Sequence, residues 1–146
     1  MTENKTLEDR VSASTTERTL AGTGILIIGA GASLVAYFNP TTAGFFPVCP
    51  LYSLTGIHCP GCGLTRGFHA LFHGDVLTAL HFNALLPVFA FLIGFMFVSL
   101  VLTVARGRGL SWRVFPPVAM YGFLVVAVGF TILRNLPVYP FSILAP

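Results

Sequence analysis

Charge is scarce in this chain of 146 residues. Only 9% of the residues are charged, 55% are hydrophobic and the mean hydropathy is +0.83, whereas a soluble domain carries roughly 25% charged residues. This composition argues against a soluble enzyme and against a disordered chain, which needs low hydrophobicity and high charge. The net charge of +3 comes from scattered arginines, so we expect no nucleic-acid partner. We expect a membrane protein whose first partner is the lipid bilayer.

Three stretches lack Asp, Glu, Lys and Arg altogether: Thr19–Thr65, Val76–Ala105 and Val114–Leu133. A membrane-spanning helix needs roughly 20 apolar residues, and Asn39-Pro40 ends the first possible helix early. We therefore predict an all-α integral membrane protein with a polar N-terminal segment, 1–18. Its three transmembrane helices are predicted at about 20–38, 84–105 and 115–133, with a long connection, 39–83, between the first two.

The orientation follows from the distribution of Lys and Arg, which concentrate on the cytoplasmic side of membrane proteins. Six of the eight basic residues fall on one side of the predicted bilayer: Lys5, Arg10, Arg18, Arg106, Arg108 and Arg113. We predict a bacterial inner-membrane protein with a cytoplasmic N-terminus, an exterior 39–83 connection and an exterior C-terminus. Trp112 and Tyr121 are expected to anchor the cytoplasmic end of the third span.

The predicted spans have no ionisable side chain in their interior, which argues against a proton relay, an ion pump or a transporter. No Ser-His-Asp order, Walker motif, dinucleotide-binding loop or H-E-x-x-H motif occurs. Two arginines are predicted outside the cytoplasmic side. Arg66 is expected to be an interfacial anchor or a ligand for lipid phosphate. Arg134, at the end of the third span, is expected to extend to the surface.

The 39–83 connection holds all three cysteines and all four histidines. Its prolines and glycines predict irregular structure up to Gly63. From Leu64 the apolar residues recur at helical spacing, which predicts an amphipathic helix in the membrane interface. Gly74-Asp75 interrupts this helix, and Asp75 is expected to cap a second one that continues towards the second span. The apolar face comprises Phe68, Leu71, Phe72, Val76, Leu77 and Leu80.

The cysteines follow the pattern C-x9-C-x2-C. This spacing suits a disulfide clip that includes Cys49, or inert buried thiols. It also suits a zinc site made of the three cysteines and one histidine, for which the candidates are Cys49, Cys59, Cys62, His58, His69 and His73. The pair in Cys59-Pro60-Gly61-Cys62 can instead be a catalytic thiol pair, with Arg66 favouring a thiolate at Cys62. A c-type haem is excluded because Gly63, and not His, follows the pair.

The Cys segment resembles a family of small bacterial membrane proteins known as domain of unknown function 2752. The matching residues extend from Cys49 to Asp75, with similarity continuing to about residue 100. The resemblance implies a membrane location and singles out the motif positions, but it implies no activity. One departure is that Asn83-Ala84 stands where an Asn-Pro pair is common. Besides the cysteines, the motif positions are Pro50, Thr55, Gly56, Pro60, Gly61, Gly63, Thr65, Arg66, Gly74 and Asp75.

Two hypotheses for the function result. In the first, the protein is a non-enzymatic accessory or assembly subunit that presents a metal- or disulfide-stabilised loop at the outer face of the membrane. Its partner is then another membrane subunit or a second copy of the chain. In the second, the protein is a membrane thiol-disulfide oxidoreductase that uses Cys59 and Cys62.

Overall fold

The computed structural model describes residues 13–111 and 115–139, and every regular element in these ranges is an α-helix. The all-α prediction is therefore confirmed. The predictions for residues 1–12, Trp112 and Arg113 lie outside the described residues. In chain order the helices are α1 (Thr15–Tyr37), α2 (Pro50–Thr55), α3 (Leu64–Phe72), α4 (Val76–Phe82), α5 (Leu86–Arg106) and α6 (Pro117–Arg134).

Three of these helices are long and apolar enough to cross a membrane: α1 with 23 residues, α5 with 21 and α6 with 18. At most 11% of the most apolar window of each is buried within the protein. Their apolar side chains thus remain available to lipid, and the prediction of three membrane-spanning helices is confirmed.

The boundaries differ from the predicted ones where polar residues extend or end a helix. Helix α1 begins before residue 20 because Ser14 and Glu17 form a capping box: Ser14 Oγ accepts from the Glu17 N–H at 3.2 Å, and the Glu17 carboxylate accepts from the Ser14 N–H at 2.8 Å. Helix α5 begins after Asn83, whose extended backbone ends α4. Helix α6 begins at Pro117, with Pro116 as its N-cap.

The chain divides into two compact units. The first comprises residues 1–32 and 90–114. In it, Leu100 packs against the Cα of Gly24, where a Cβ would lie 3.0 Å from Leu100 Cδ1. The Ser99 hydroxyl accepts a hydrogen bond from the Leu110 N–H at 2.9 Å, which holds the chain where it leaves α5.

The second unit comprises residues 33–89 and 115–146 and contains the Cys segment. Here α3 and α4 pack side by side as a helical hairpin whose core is Ala70, Ala79 and Leu86. Small residues permit this close approach, and Gly67 of α3 is buried against α4. Asp75 caps α4 as predicted, accepting from the Thr78 N–H at 3.0 Å.

One local prediction needs correction. The segment before Gly63 is not wholly irregular, because Pro50–Thr55 forms the short helix α2; proline is favoured in the first turn of a helix. The hairpin packs through Ala70, Ala79 and Leu86, and Leu71 of the predicted apolar face packs against this core. The large side chains that remain exposed, and so available to lipid, are Phe72, Val76, Leu77 and Leu80.

Candidate functional site

The three cysteine sulfurs lie together in the second unit. Cys59 Sγ is 3.3 Å from Cys49 Sγ and 3.3 Å from Cys62 Sγ, and all three sulfurs lie within 4.8 Å of one another. They form the one cluster of three or more candidate metal ligands in the described part of the chain.

The local sequence explains how positions ten residues apart meet. Cys49 precedes the first turn of α2, which Pro50 begins, and the helix ends at Gly56 in the left-handed conformation with φ of 71°. The chain then reverses, and the Cys59–Cys62 turn closes with a hydrogen bond from the Cys62 N–H to the Cys59 carbonyl at 3.0 Å. Gly63, with φ of 80°, connects this turn directly to α3.

Side chains from distant positions bind the backbone of residues 58–62, which we call the Cys turn. Asn83 Nδ2 donates to the carbonyls of Pro60 and Cys62, at 2.8 and 3.1 Å. Arg134 Nη1 donates to the carbonyls of Cys59 and Cys62, at 3.0 and 3.1 Å. Asn135 accepts from the His58 N–H and donates to the His58 carbonyl, at 2.8 and 2.9 Å. We call Asn83, Arg134 and Asn135 the clamp, because they fix the turn between residues that precede α5 and residues that end α6.

Arg134 does not extend to the surface, so that prediction is wrong. The side chain is 2% exposed, and its Cζ lies 5.0 Å from the centroid of the Phe130 ring. The guanidinium lies inside the protein because it donates to two carbonyls of the Cys turn. A hydrogen bond from a charged donor is stronger than one between neutral groups. Its Nε and Nη2 atoms are buried without a hydrogen-bond partner.

The thiols differ in acidity. The Tyr52 N–H in the first turn of α2 and the adjacent Cys59 thiol lower the pKa of Cys49 to about 7. Burial and the hydrogen bond with Cys59 raise the pKa of Cys62 to about 12. The prediction that Arg66 favours a thiolate at Cys62 is therefore wrong, because desolvation dominates at that sulfur.

A cavity of about 500 Å³ opens beside the cysteines, which all line it. Its wall also includes Phe46, Tyr52, His58, Thr65 and Arg66. Arg66 is exposed, so it borders the cavity without being enclosed. The sulfurs are thus accessible to a small ligand on one side, while the clamp holds their backbone on the other.

The histidines take other positions. His58 lines the cavity with its ring centroid 4.5 Å from that of Tyr52. His69 Nδ1 lies 2.7 Å from the Val35 carbonyl, and His73 Nδ1 lies 2.8 Å from the His69 carbonyl. Within residues 13–111 and 115–139, no histidine nitrogen joins the cysteine cluster. A histidine as fourth metal ligand stays a prediction.

The motif positions outside the cysteines are mainly structural. Pro50, Gly56 and Gly63 set the backbone of the turns, and Asp75 caps α4. The Thr55 hydroxyl donates to the Leu51 carbonyl and accepts from the Ile57 N–H, which closes the end of α2. The remaining positions are Pro60, in the Cys turn; Gly61 and Thr65, in the cavity wall; and Gly74, with φ of 82° between α3 and α4.

The clamp is what sequence reasoning missed. In the sequence, Asn83 stands out only in the Asn83-Ala84 departure from the motif, and Arg134 is predicted to extend to the surface. One feature of the sequence could have indicated the role of Arg134: it is the first charged residue after a charge-free stretch. A polar side chain at the end of a span often has a specific partner.

Residues 49–97 match the model of a family described as "Protein of unknown function (DUF2752)". This confirms the resemblance drawn from the motif. The matched segment contains the three cysteines and Asn83, whereas Arg134 and Asn135 lie beyond it. No curated protein and no solved structure matches the chain.

Proposed function

We propose that this protein is a non-enzymatic membrane subunit whose Cys-rich loop, closed by its three cysteines, forms a rigid surface for assembly with another membrane protein or a second copy of the chain. One observation carries the proposal: the clamp binds the Cys turn through six hydrogen bonds from residues that flank membrane helices. A loop fixed in this way presents a constant shape, which reduces the entropy lost on binding a partner.

The sulfur positions support closure of the loop. A disulfide needs an S–S distance of about 2.0 Å, and tetrahedral zinc with Zn–S bonds of about 2.3 Å separates its sulfurs by about 3.8 Å. The observed separations of 3.3 Å lie between these values, so a small shift produces either arrangement.

The proposed location is the bacterial inner membrane, with a cytoplasmic N-terminus and an exterior loop and C-terminus. The partition of Lys and Arg supports this orientation. A reporter that is active only outside the cytoplasm, fused after Pro146, should be active. A cytoplasmic C-terminus would contradict the orientation.

The central test combines metal analysis, thiol counting and co-purification. The purified protein should contain either a stoichiometric metal ion or a disulfide. Single changes Cys49→Ser, Cys59→Ser and Cys62→Ser should each reduce folded protein and its recovery in a larger membrane complex. The proposal fails if all three variants accumulate and assemble like the parent protein.

A second candidate function, thiol-disulfide exchange, is favoured by the thiol of Cys49, which lines the cavity and has a lowered pKa of about 7. In this function a Cys59–Cys62 disulfide accepts two electrons from a dithiol substrate: the substrate leaves as a disulfide, and both cysteines become thiols. Trapping of a stable mixed disulfide with another protein after Cys62→Ser would favour this alternative, and its absence would count against it.

A further inference from the structure

Arg134 is a buried cation that forms no ion pair with a carboxylate of residues 13–111 and 115–139. Its side chain is 2% exposed, and two of its three nitrogens have no hydrogen-bond partner. Removing a charge from water costs several kcal/mol unless an opposite charge and hydrogen bonds compensate for it. The two carbonyls that Nη1 contacts are neutral dipoles, so they provide only part of that compensation.

No carboxylate in the described residues supplies the missing charge. Glu17 and Asp75 are the two acidic residues in those ranges, and each caps a helix. The groups that interact electrostatically with Arg134 are the thiols of Cys59 and Cys62. Among the described residues, the cysteine cluster is therefore the group that could carry a negative charge next to Arg134.

The possible states of the cluster differ in charge. Three protonated thiols are neutral, and a disulfide with one protonated thiol is neutral, whereas a single thiolate gives −1. A monovalent ion bound by three thiolates gives a net charge of −2. A divalent ion bound by three thiolates also gives −1, which Arg134 neutralises, and of these two −1 states it alone uses all three sulfurs, which lie within 4.8 Å of one another.

We propose that the three cysteines bind a divalent thiophilic ion of the zinc class as thiolates, and that Arg134 is the fixed counter-charge of this centre. The inference rests on the proposed function, in which the cysteines close the loop, and it identifies the closure as a metal ion. Sulfur and nitrogen ligands suit zinc. In a tetrahedral centre the three sulfurs would supply three of the four ligands, and the adjoining cavity could admit water or a donor atom from another molecule as the fourth.

Arg134 is a positioning residue in this centre, since it contacts the backbone of two ligands and not the ion. Loss of a group that supports metal ligands typically weakens binding by about 10- to 100-fold. The expected effect of Arg134→Gln, which removes the charge, is a decrease in Zn²⁺ affinity within that range. Arg134→Lys keeps the charge and should retain most of the affinity.

The experiment uses the full chain in detergent. Co²⁺ serves as a spectroscopic probe, because thiolate ligands give an intense charge-transfer absorption, and Zn²⁺ affinity is measured by competition with a chromogenic chelator. Arg108→Gln is the matched control: Arg108 is an exposed arginine of the compact unit that does not contain the cysteines, so its loss should leave the affinity unchanged. Melting of the metal-free protein separates folding from binding, since both Arg134 variants lose the paired hydrogen bonds to the turn.

A second pair of variants keeps Arg134 itself. Phe130 lies one turn earlier on α6 with its ring 5.0 Å from the guanidinium. Phe130→Glu places a carboxylate beside Arg134 and should reduce Zn²⁺ affinity, because the counter-charge is then already neutralised. Phe130→Gln introduces a side chain of the same shape as Glu but without the charge, so it should reduce the Zn²⁺ affinity less. This pair remains informative if Arg134→Gln does not fold.

Several results would overturn the inference. These are a parent protein without the Co²⁺–thiolate absorption, binding of monovalent copper alone, or equal Zn²⁺ affinity in the parent, Arg134→Gln and Phe130→Glu. If thiol counting then finds a disulfide and the Cys→Ser variants still lose assembly, the proposed function stands and only the metal is wrong. If the Cys→Ser variants behave like the parent, the proposed function itself fails.

Discussion

Arg134 Nη1 donates a hydrogen bond to the carbonyl of Cys62 at 3.1 Å, across 72 positions of sequence. The contact joins the last residue of α6 to the turn that holds the cysteines. Since the same carbonyl also accepts from Asn83, residues at the ends of two spans converge on one backbone atom. The geometry of the cysteines therefore depends on residues outside the cysteine motif.

Asn83→Ala tests the clamp directly. Asn83 is 1% exposed, and its side chain makes three hydrogen bonds, two to the Cys turn and one from the Leu85 N–H. Leaving buried polar groups unsatisfied costs about 1–3 kcal/mol each, so the melting temperature in detergent should fall clearly. Asn39→Ala, at an exposed asparagine that bonds only within its own turn, should have a smaller effect. Equal effects would argue against the clamp.

Gly67→Ala tests the packing of the helical hairpin. A Cβ on Gly67 would lie 2.5 Å from Leu86 Cδ1 and 3.1 Å from the Ala79 carbonyl oxygen. Overpacking of this kind typically costs about 1–3 kcal/mol, so the variant should melt at a lower temperature. Gly122→Ala in α6, where a Cβ would meet nothing within 4 Å, should not destabilise the protein.

Leu86→Ala in the Gly67→Ala background sharpens this test. Removing the Leu86 methyl groups relieves the contact, so the two changes together should cost less than the sum of their separate effects. Strict additivity of the melting data would contradict a direct contact between these residues.

The sequence predicted what depends on local composition and periodicity. The three spans, the helix from Leu64 and the Asp75 cap all follow from apolar runs, helical spacing and a capping residue, and the structure has each of them. The clamp could not be predicted in the same way, because Arg134 and Cys62 are 72 residues apart. Their contact depends on how the chain folds back between them. The close packing of Gly67, Ala70 and Ala79 could not be predicted from periodicity either, because it depends on how α3 and α4 face each other.

The pH dependence of the hairpin should include a contribution from Asp75. Hydrogen bonds from the Thr78 hydroxyl and N–H lower the pKa of the Asp75 carboxyl below its ordinary value. The folded protein thus binds this proton less readily than the unfolded chain does. The resulting stabilisation is fully present above the unfolded-state pKa and is lost as the pH falls through the lower, folded-state pKa.

Asp75→Asn retains a capping side chain but cannot titrate. Melting temperature measured from neutral pH down to about pH 3 should fall less steeply in Asp75→Asn than in the parent. Parallel curves would show that Asp75 does not contribute to the acid sensitivity.

The last prediction concerns the cysteines as one unit. If Cys49 and Cys59 act through one bond or one bound ion, Cys49→Ser and Cys59→Ser should each destabilise the protein. Loss of a disulfide typically lowers the free energy of unfolding by about 2–5 kcal/mol. Loss of a metal ligand also destabilises the protein, because metal binding contributes to folding. The double variant should then cost little more than either single variant, because the first change already removes the shared interaction.

The melting temperature should be measured with and without a chelator. Chelation should lower it in the parent and leave the double variant unchanged if a metal ion closes the loop. For a disulfide, a reducing agent should produce that pattern instead. Three single variants that match the parent under all conditions would mean that the sulfurs do not hold the loop.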